Sequence, residues 1–336
     1  MKNNRGLISL FCGAGGLDSG FSKQGFNTLL ALDHEQSAID SFNANHAGKV
    51  ARKVDLSRYQ SKKFIDLIKE VAGDVRPIGL IGGPPCQGVS AGNSNSVPDD
   101  PRNSLMGTYL RLVNEAYNVF DIDFFVFENV PGLLRDANAA RLKSLKAGLA
   151  KNFHISLQEL NAKNFGVPQN RRRVVIIGFN RKRYEECDVP RVIGSELVTT
   201  VKEAIGKLPE ATYFSRGLMP KDIAFHPNHW TMQPKSAKFT AKQSLITGRS
   251  FQRLDWDKPS RTVAYGHREI HIHPEGHRRV SVFEAMLLQG FDQNYVLHGS
   301  LSKQVEQVSN AVPPPLAQRI AKEISLVLKE RPDVEQ

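Results

Sequence analysis

Short apolar runs alternate with longer amphipathic stretches through the first half of this chain, and no other feature restricts its possible folds as strongly. The apolar runs have the length of buried β-strands and lie at residues 7–11, 28–32, 78–81, 124–127, 153–160 and 174–179. Between them, the stretches at 62–71 and 105–119 have the spacing of helices. Such alternation is typical of β-α-β units, so we predict a doubly wound α/β fold with helices on both faces of a mostly parallel sheet.

The pattern weakens after residue 180, where the chain becomes basic and rich in proline. Between 214 and 254 the only acid is Asp222, and aromatic residues and histidines are interleaved with the cations. The basic residues of this segment are Arg216, Lys221, Lys235, Lys238, Lys242, Arg249 and Arg253. Any long helix would be interrupted by Pro220, Pro227 and Pro234. We therefore predict a small, irregular second domain at about 181–260.

Regular structure is predicted to return near the end of the chain. Ser281 and Glu284 have the spacing of a capping box, which should open a short helix through Leu288 that ends at Gly290. The run Pro313-Pro314-Pro315 then precedes a last helix predicted at 316–328.

The charge of the chain favours an anionic partner. There are 45 Lys+Arg and 34 Asp+Glu, which gives a formal net charge of +11. Basic side chains gain affinity for nucleic acids by displacing counterions from phosphates. A basic soluble protein without such a partner explains the charge equally well.

The cysteines and the apolar runs indicate the cellular compartment in which the protein works. Cys12, Cys86 and Cys187 are too few and too scattered for a disulfide framework or a zinc site, so we expect no metal and a reducing environment. The first apolar run is too short to span a bilayer and soon meets glycines and Asp18, unlike a signal peptide. We expect a soluble, cytoplasmic protein.

A glycine-rich turn follows the first predicted strand, with the sequence Phe11-Cys12-Gly13-Ala14-Gly15-Gly16 before a helix that begins near Leu17. Glycines there let the backbone approach a nucleotide-like cofactor at the carboxyl edge of a sheet, although such turns are common. Asp33 ends the second strand, where an acid can hold ribose hydroxyls. Asp55 follows a further strand, expected between Asp33 and Asp55 and counted as the third along the chain, and could hold an adenine amino group. Either acid could instead be a loop residue or a helix cap.

Cys86 follows a rigid Pro84-Pro85 pair at the end of the fourth predicted strand. A lone cysteine is most often a small core residue, but this position, at the edge where ligands bind, suits a nucleophile better. The polar loop at 88–103 is rich in Gly, Ser, Asn and Asp and could act as a lid.

Two further motifs follow strands of the same predicted sheet. Glu128, in Phe127-Glu128-Asn129-Val130, ends the fifth strand and could be a proton donor with a raised pKa, or an ordinary strand-end acid. In a strand, Arg171 and Arg173 of the segment 169–173 would share one face. That face could grip a phosphate or a base edge, or it could be a solvated basic turn.

Taken together and in this order, these segments resemble the cytosine-5 DNA methyltransferase family, of the bacterial restriction-modification type. The resemblance covers residues 7 to about 321 except the middle region. It rests on the glycine turn, Pro84-Pro85-Cys86-Gln87, Glu128-Asn129-Val130, Gln169-x-Arg171-x-Arg173, Gln289-Gly290-Phe291 with Glu284, and Ser309-Asn310-Ala311-Val312-Pro313. Ser309 and Val280-Ser281 stand where many members have glycine and Leu-Thr, which bears only on fine cofactor geometry.

The resemblance implies a Rossmann-like, S-adenosylmethionine-dependent methyltransferase domain and assigns roles within it. Cys86 would attack C6 of a flipped-out cytosine, and Glu128 would hold or protonate N3. Arg173 would contact the base from the other side, and Arg171 would support the catalytic loop. The lid at 87–104 would close behind the base.

The resemblance also implies cofactor and DNA contacts. S-adenosylmethionine would lie among Phe11, Gly13, Gly15, Gly16, Leu17, Asp33, Asp55, Leu56, Pro85, Asn310 and Val312. Duplex DNA would be contacted by Gln87, Ser90, Arg216, Lys235, Lys238, Lys242, Arg249 and Arg253. The expected division is a catalytic domain at 1–180, a target-recognition domain at 181–260 and a C-terminal segment at 261–336 that returns to the catalytic domain.

Two alternatives remain open at this point. A branch of the family methylates tRNA, but it typically carries a Cys-Phe-Thr motif, and no cysteine follows Cys187 here. A catalytically dead DNA-binding regulator could keep the fold, although Cys86, Glu128 and Asn310 are all present. The target sequence is not predicted. We expect a monomer, and a cognate restriction endonuclease encoded nearby stays an open question.

Overall fold

The computed structural model describes residues 5–85, 105–234, 252–262, 264–265 and 269–329. This part of the chain divides into two compact units. The first unit takes its described residues from 1–160, 172–193 and 317–336, and the second from 161–171 and 194–316. None of the described helices is both long and apolar enough to cross a bilayer.

The strands and helices of the described residues are numbered in chain order. The strands are β1 (Gly6–Leu10), β2 (Asn27–Asp33), β3 (Ala51–Lys53), β4 (Gly79–Gly82), β5 (Phe124–Asn129), β6 (Phe153–Asn161), β7 (Gln169–Asn170), β8 (Arg172–Asn180), β9 (Thr212–Tyr213), β10 (Trp230–Thr231), β11 (Ser260–Arg261), β12 (Ala264–Tyr265) and β13 (Glu269–Ile270). The helices are α1 (Gly16–Ser22), α2 (Gln36–Asn45), α3 (Ser61–Ala72), α4 (Leu105–Phe120), α5 (Ala139–Ala150), α6 (Val201–Ile205), α7 (Val282–Leu288), α8 (Leu301–Asn310) and α9 (Pro314–Lys329).

The largest sheet has seven strands among the described residues, in the order β3-β2-β1-β4-β5-β8-β6. The pairs from β3 through β5 are parallel, and β8 is antiparallel to β5. All residues of β1 and β5 are buried, as expected for central strands of a sheet covered on both faces. The predicted α/β fold is confirmed. The six strands predicted from apolar runs, the helices predicted at 62–71 and 105–119 and the last helix predicted at 316–328 are all present within a few residues of their expected bounds.

The strand order determines where a ligand can bind. From β1 the chain moves outward through β2 to β3, then returns to place β4 on the other side of β1. Such a reversal leaves a crevice beyond the carboxyl ends of the two strands, where open α/β sheets bind their ligands. The glycine turn follows β1, and Gly83 and Pro84 follow β4. The sheet therefore brings two of the sequence motifs to one crevice.

The second unit is built from short elements. Its two-residue strands form the pairs β9 with β10, β7 with β11 and β12 with β13. The predicted capping box opens α7, because the Ser281 hydroxyl accepts the Glu284 N–H at 3.0 Å and Glu284 accepts the Ser281 N–H at 2.7 Å. A left-handed Gly290 follows the helix, as predicted.

Candidate active site

The turn after β1 has an unusual backbone. Phe11, Gly13 and Gly15 all have positive φ, at 54°, 53° and 88°. A non-glycine residue such as Phe11 is uncommon in this region, and such residues are often found at functional sites. A side chain added at Gly13 would meet open space, whereas one at Gly15 would collide with the ring of His46 at 2.4 Å. The turn thus presents an open backbone face at Gly13 and a tightly packed one at Gly15.

Asp33, the last residue of β2, stabilises this turn. Its Oδ2 accepts the Gly13 N–H at 2.9 Å, and its Oδ1 accepts the Glu35 N–H at 3.0 Å. Burial raises the pKa of Asp33, but hydrogen bonds from His34, Glu35 and Gly13 outweigh this and lower the pKa overall. Its carboxylate can accept bonds from ribose hydroxyls, and the open face at Gly13 gives a ligand close access. These residues therefore fit a nucleoside cofactor.

Asp55, the second acid predicted to contact the cofactor, caps a short turn. Asp55 is exposed and caps the short 3-10 turn at 56–58, where its carboxylate accepts the Ser57 N–H at 2.9 Å. This is the capping role that the sequence left open as an alternative. Leu56, beside it, is buried, and so is Leu17 in α1.

Glu128 and Arg173 form an ion pair at the tips of β5 and β8. The Arg173 Nε lies 2.8 Å from the Glu128 Oε1, and each side chain is only about a tenth exposed, at 11% and 9%. Glycine at position 83 makes room for this acid, because an added Cβ would lie 2.6 Å from the Glu128 Oε2. An acid and a guanidinium thus face each other beside the residues that follow β4. Such a pair can bind a polar planar group from two sides.

Asn129, beside Glu128 in β5, connects this site to the residues that directly follow β4. Its Nδ2 donates to the Pro84 carbonyl at 3.1 Å, and the Asn129 side chain is buried. Pro85 is half-buried. Asn129 was not among the predicted site residues, although it stands in the Glu-Asn-Val motif. Cys86, Gln87, Ser90 and the predicted lid at 87–104 lie outside the described residues.

Arg171 departs from the sequence prediction. It lies between β7 and β8 rather than within a strand. In the second unit its buried guanidinium donates from Nη2 to the carbonyls of Ser309 at 2.6 Å and Ala311 at 2.9 Å. Arg171 therefore fixes the backbone on both sides of Asn310.

Two buried glutamines, neither of which was assigned a role from the sequence, complete this network. Gln169 donates from Nε2 to the Gln289 Oε1 at 2.6 Å, and Gln289 donates from its own Nε2 to the Ala311 carbonyl at 2.7 Å. Gln169, Arg171 and Gln289 are all 0% exposed. Fully buried polar groups of this kind hold a segment in one position. Asn310, at the end of α8, is exposed, whereas Val312 is buried.

Only two of the six cations predicted to contact DNA through 181–260 are described. Arg216 and Arg253 are both exposed. Arg253 donates from Nε to the Pro274 carbonyl at 2.5 Å, which orients its guanidinium. Lys235, Lys238, Lys242 and Arg249 lie outside the described residues.

The sheet order, the glycine turn after β1 and the acid ending β2 place the chain in the class of Rossmann-like α/β proteins that bind a nucleoside cofactor. The family model for C-5 cytosine-specific DNA methylase matches residues 6–326, and the chain belongs to this family.

Known proteins of similar sequence cover nearly the whole chain. The Type II methyltransferase M.MthTI of Methanothermobacter thermautotrophicus is 32% identical, over 96% of this chain and 97% of that protein. The Type II methyltransferase M1.HphI of Haemophilus parahaemolyticus is 34% identical, over 94% of this chain and 86% of that protein. This chain is accordingly a DNA cytosine-5 methyltransferase that uses S-adenosylmethionine.

Solved structures share the fold. A DNA modification methyltransferase encoded within an E. coli prophage superposes with a TM-score of 0.77 at 24% identity, over 96% of this chain and 99% of that chain. DNMT2 of Spodoptera frugiperda superposes with a TM-score of 0.66 at 14% identity, over 96% of this chain and 100% of that chain.

Proposed function

We propose that Cys86, Glu128, Arg171 and Arg173 carry the methylation of a cytosine flipped out of duplex DNA. The observation that supports this most is the buried ion pair of Glu128 with Arg173 at 2.8 Å. Asn129, next to the acid, bonds the Pro84 carbonyl two residues before Cys86. A base must leave the stack before a side chain can reach its C6, because the duplex shields that atom.

The proposed chemistry assigns each side chain one task. Cys86, as a thiolate, bonds to C6 of the cytosine and pushes an electron pair toward C5 and N3. Glu128 holds or protonates N3, which makes the ring more electrophilic. Arg173 contacts the base from the other side, and Arg171 acts as a positioning residue. The bound cofactor supplies the methyl group that C5 takes. Loss of the C5 proton then restores the ring and releases the sulfur of Cys86 from C6.

The cofactor contacts remain as predicted from the family resemblance. Asp33 and the backbone of Phe11, Gly13, Gly15 and Gly16 have the supporting geometry described above. For Leu17, Asp55, Leu56, Pro85, Asn310 and Val312 the proposal rests on the resemblance. The Asp55 carboxylate already accepts the Ser57 N–H, so an adenine amino group would have to donate to one of its remaining lone pairs.

We infer further that the segment 181–260 selects the target sequence, between a catalytic part at 1–180 and a C-terminal part at 261–336. Its cations would divide between phosphates, which fix position, and guanine edges, which carry specificity. Gln87 and Ser90 would contact the DNA from the catalytic loop. Because the similar Type II methyltransferases belong to restriction-modification systems, we also propose a cognate endonuclease encoded nearby. We propose in addition that the enzyme is a monomer. It would work in the cytoplasm, where its DNA is.

Glu128→Gln and Asn310→Ala are expected to fail in different ways. Glu128→Gln should lower kcat by roughly 10²- to 10⁴-fold, because an amide cannot supply a proton to N3, while the cofactor Kd stays unchanged. Asn310→Ala should mainly weaken cofactor binding. Calorimetry with S-adenosylmethionine, together with steady-state kinetics on DNA, measures both effects.

A matched control for Glu128→Gln is Glu159→Gln. Glu159 also pairs with an arginine, since the Arg172 Nε lies 2.7 Å from its Oε1, but the arginine side chain there is 63% exposed. The control should keep both kcat and cofactor affinity, because exposed pairs contribute little. If Glu128→Gln lost cofactor affinity but kept kcat, the assignment of Glu128 to the base would be wrong.

We expect that a hybrid in which 181–260 is replaced by the corresponding segment of a relative with a known target will methylate that relative's target sequence. Base-edge contacts, and not the shared catalytic residues, carry the specificity. The check is sequencing of DNA from cells that express the hybrid, by a method that marks 5-methylcytosine. An active hybrid that kept the original target would contradict the proposal.

A further inference from the structure

Two titratable side chains, the buried Asp18 and the half-buried His46, lie close to the glycine turn and have no part in the chemistry proposed above. Asp18 is in the first turn of α1 and only 1% exposed. Its carboxylate accepts the Ser9 hydroxyl and the Thr28 hydroxyl, each at 2.9 Å. These bonds join the helix after the turn to β1 and β2.

His46 directly follows α2 and packs against the turn at Gly15. Its ring stacks on Phe42 with the centroids 4.2 Å apart and the planes inclined by 20°. The ring also makes a hydrogen bond with the backbone of Gly15. A Cβ built on Gly15 would lie 2.4 Å from the His46 Nε2 and 2.9 Å from Phe42. The two rings therefore fill the space that a side chain at position 15 would need.

The charge state of His46 suits a fixed hydrogen bond. Burial lowers the pKa of this imidazole, although the charge of Asp18 and the bond to Gly15 oppose the shift. The ring is therefore neutral at neutral pH, with one N–H whose partner is set by the surroundings. Burial raises the pKa of Asp18.

We propose that His46 is a positioning residue for the cofactor, holding Gly15 in its left-handed conformation through the hydrogen bond to the Gly15 backbone while Phe42 stacks on the ring. Gly15 stands between Gly13, whose N–H bonds Asp33, and Gly16, where α1 begins. A rotation at Gly15 would move the backbone on both sides of it. The inference rests on the proposed role of the glycine turn in binding the cofactor.

The test uses two substitutions of His46 that differ in hydrogen bonding. His46→Leu keeps bulk but removes the bond, whereas His46→Gln carries a terminal amide that can reach the place of Nε2. His46→Leu should raise the calorimetric Kd for S-adenosylmethionine, and the KM for it, by roughly 5- to 10-fold, the usual worth of one hydrogen bond. The KM for DNA and the kcat at saturating cofactor should stay unchanged. His46→Gln should restore most of the affinity.

The controls separate a positioning role from a structural one. Asn45→Ala changes the preceding residue, whose Nδ2 bonds the Ser41 carbonyl at 2.6 Å, and should leave the cofactor Kd unchanged. If His46→Leu lowered the melting temperature but left Kd and KM unchanged, or if His46→Gln bound the cofactor no better than His46→Leu, the inference would be overturned. Should His46→Leu fail to fold, Phe42→Leu, which removes the stacking partner, must weaken cofactor binding in the same sense.

A further variant distinguishes this inference from the proposed function. Asp33→Ala removes the acid that bonds the Gly13 N–H. If Asp33→Ala and His46→Leu both left the Kd unchanged, the glycine turn would not be the cofactor site. If Asp33→Ala weakened binding and His46→Leu did not, only the role of His46 would be wrong.

Discussion

Cys86→Ser protein is expected to bind duplex DNA and S-adenosylmethionine normally. Its rate of methyl transfer should be lower by roughly 10³-fold or more, because the covalent nucleophile is lost. A cysteine is partly ionised near neutral pH and its thiolate is strongly nucleophilic. A serine hydroxyl has nearly the same size but stays protonated without a strong adjacent base. The substitution therefore removes the bond to C6 while it keeps the shape of the site.

The measurement is the transfer of radioactive methyl groups to DNA in single turnover, with gel-shift and calorimetric checks of binding. Cys187→Ser is the matched control, because Cys187 is half-buried elsewhere in the first unit and has no proposed role. It should keep full activity. Substantial methylation by purified Cys86→Ser protein would show that Cys86 is not the nucleophile.

The sheet and the turn after β1 could be predicted because their signals are local. A short, mostly apolar run such as residues 7–11 indicates a buried strand when a glycine-rich turn follows it, and β1 lies there. Asp33 was predicted at the end of the second strand and is the last residue of β2, where it bonds the turn. The capping box of α7 was predictable for the same reason, because its two residues stand three apart.

Contacts between distant parts of the chain could not be predicted in this way. The bond from Gln289 to the Ala311 carbonyl and that from Arg171 to the Ser309 carbonyl depend on how separate segments pack. The break between β7 and β8 moves Arg171 out of a strand, and residue alternation alone gives no sign of it. His46 was overlooked because nothing in its neighbourhood along the chain relates it to Gly15, which lies in the preceding β-α unit.

Duplex DNA with 5-fluorocytosine at the target position is expected to trap the enzyme covalently through Cys86. The attack at C6 and the transfer of the methyl group to C5 do not require the C5 substituent to leave. Release of the enzyme does, because elimination of the sulfur needs a removable proton at C5, and fluorine cannot depart as a cation. The reaction should therefore stop with protein, methyl group and DNA joined.

The requirements of this adduct follow from the proposed roles. It should need S-adenosylmethionine and should not form with Cys86→Ala protein. A matched RNA should give none, and the target must lie within the duplex. Because the target sequence is unknown, the fluorinated duplex must come from a pool of mixed sequences.

A denaturing gel of this reaction shows whether Cys86 forms a covalent bond to a cytosine of duplex DNA. We expect a band of protein joined to DNA that survives denaturation, appears only with the cofactor and is lost in Cys86→Ala protein. The absence of such a band for folded protein with cofactor, on a pool that contains all short target sequences, or its appearance only on RNA, would contradict the proposed mechanism.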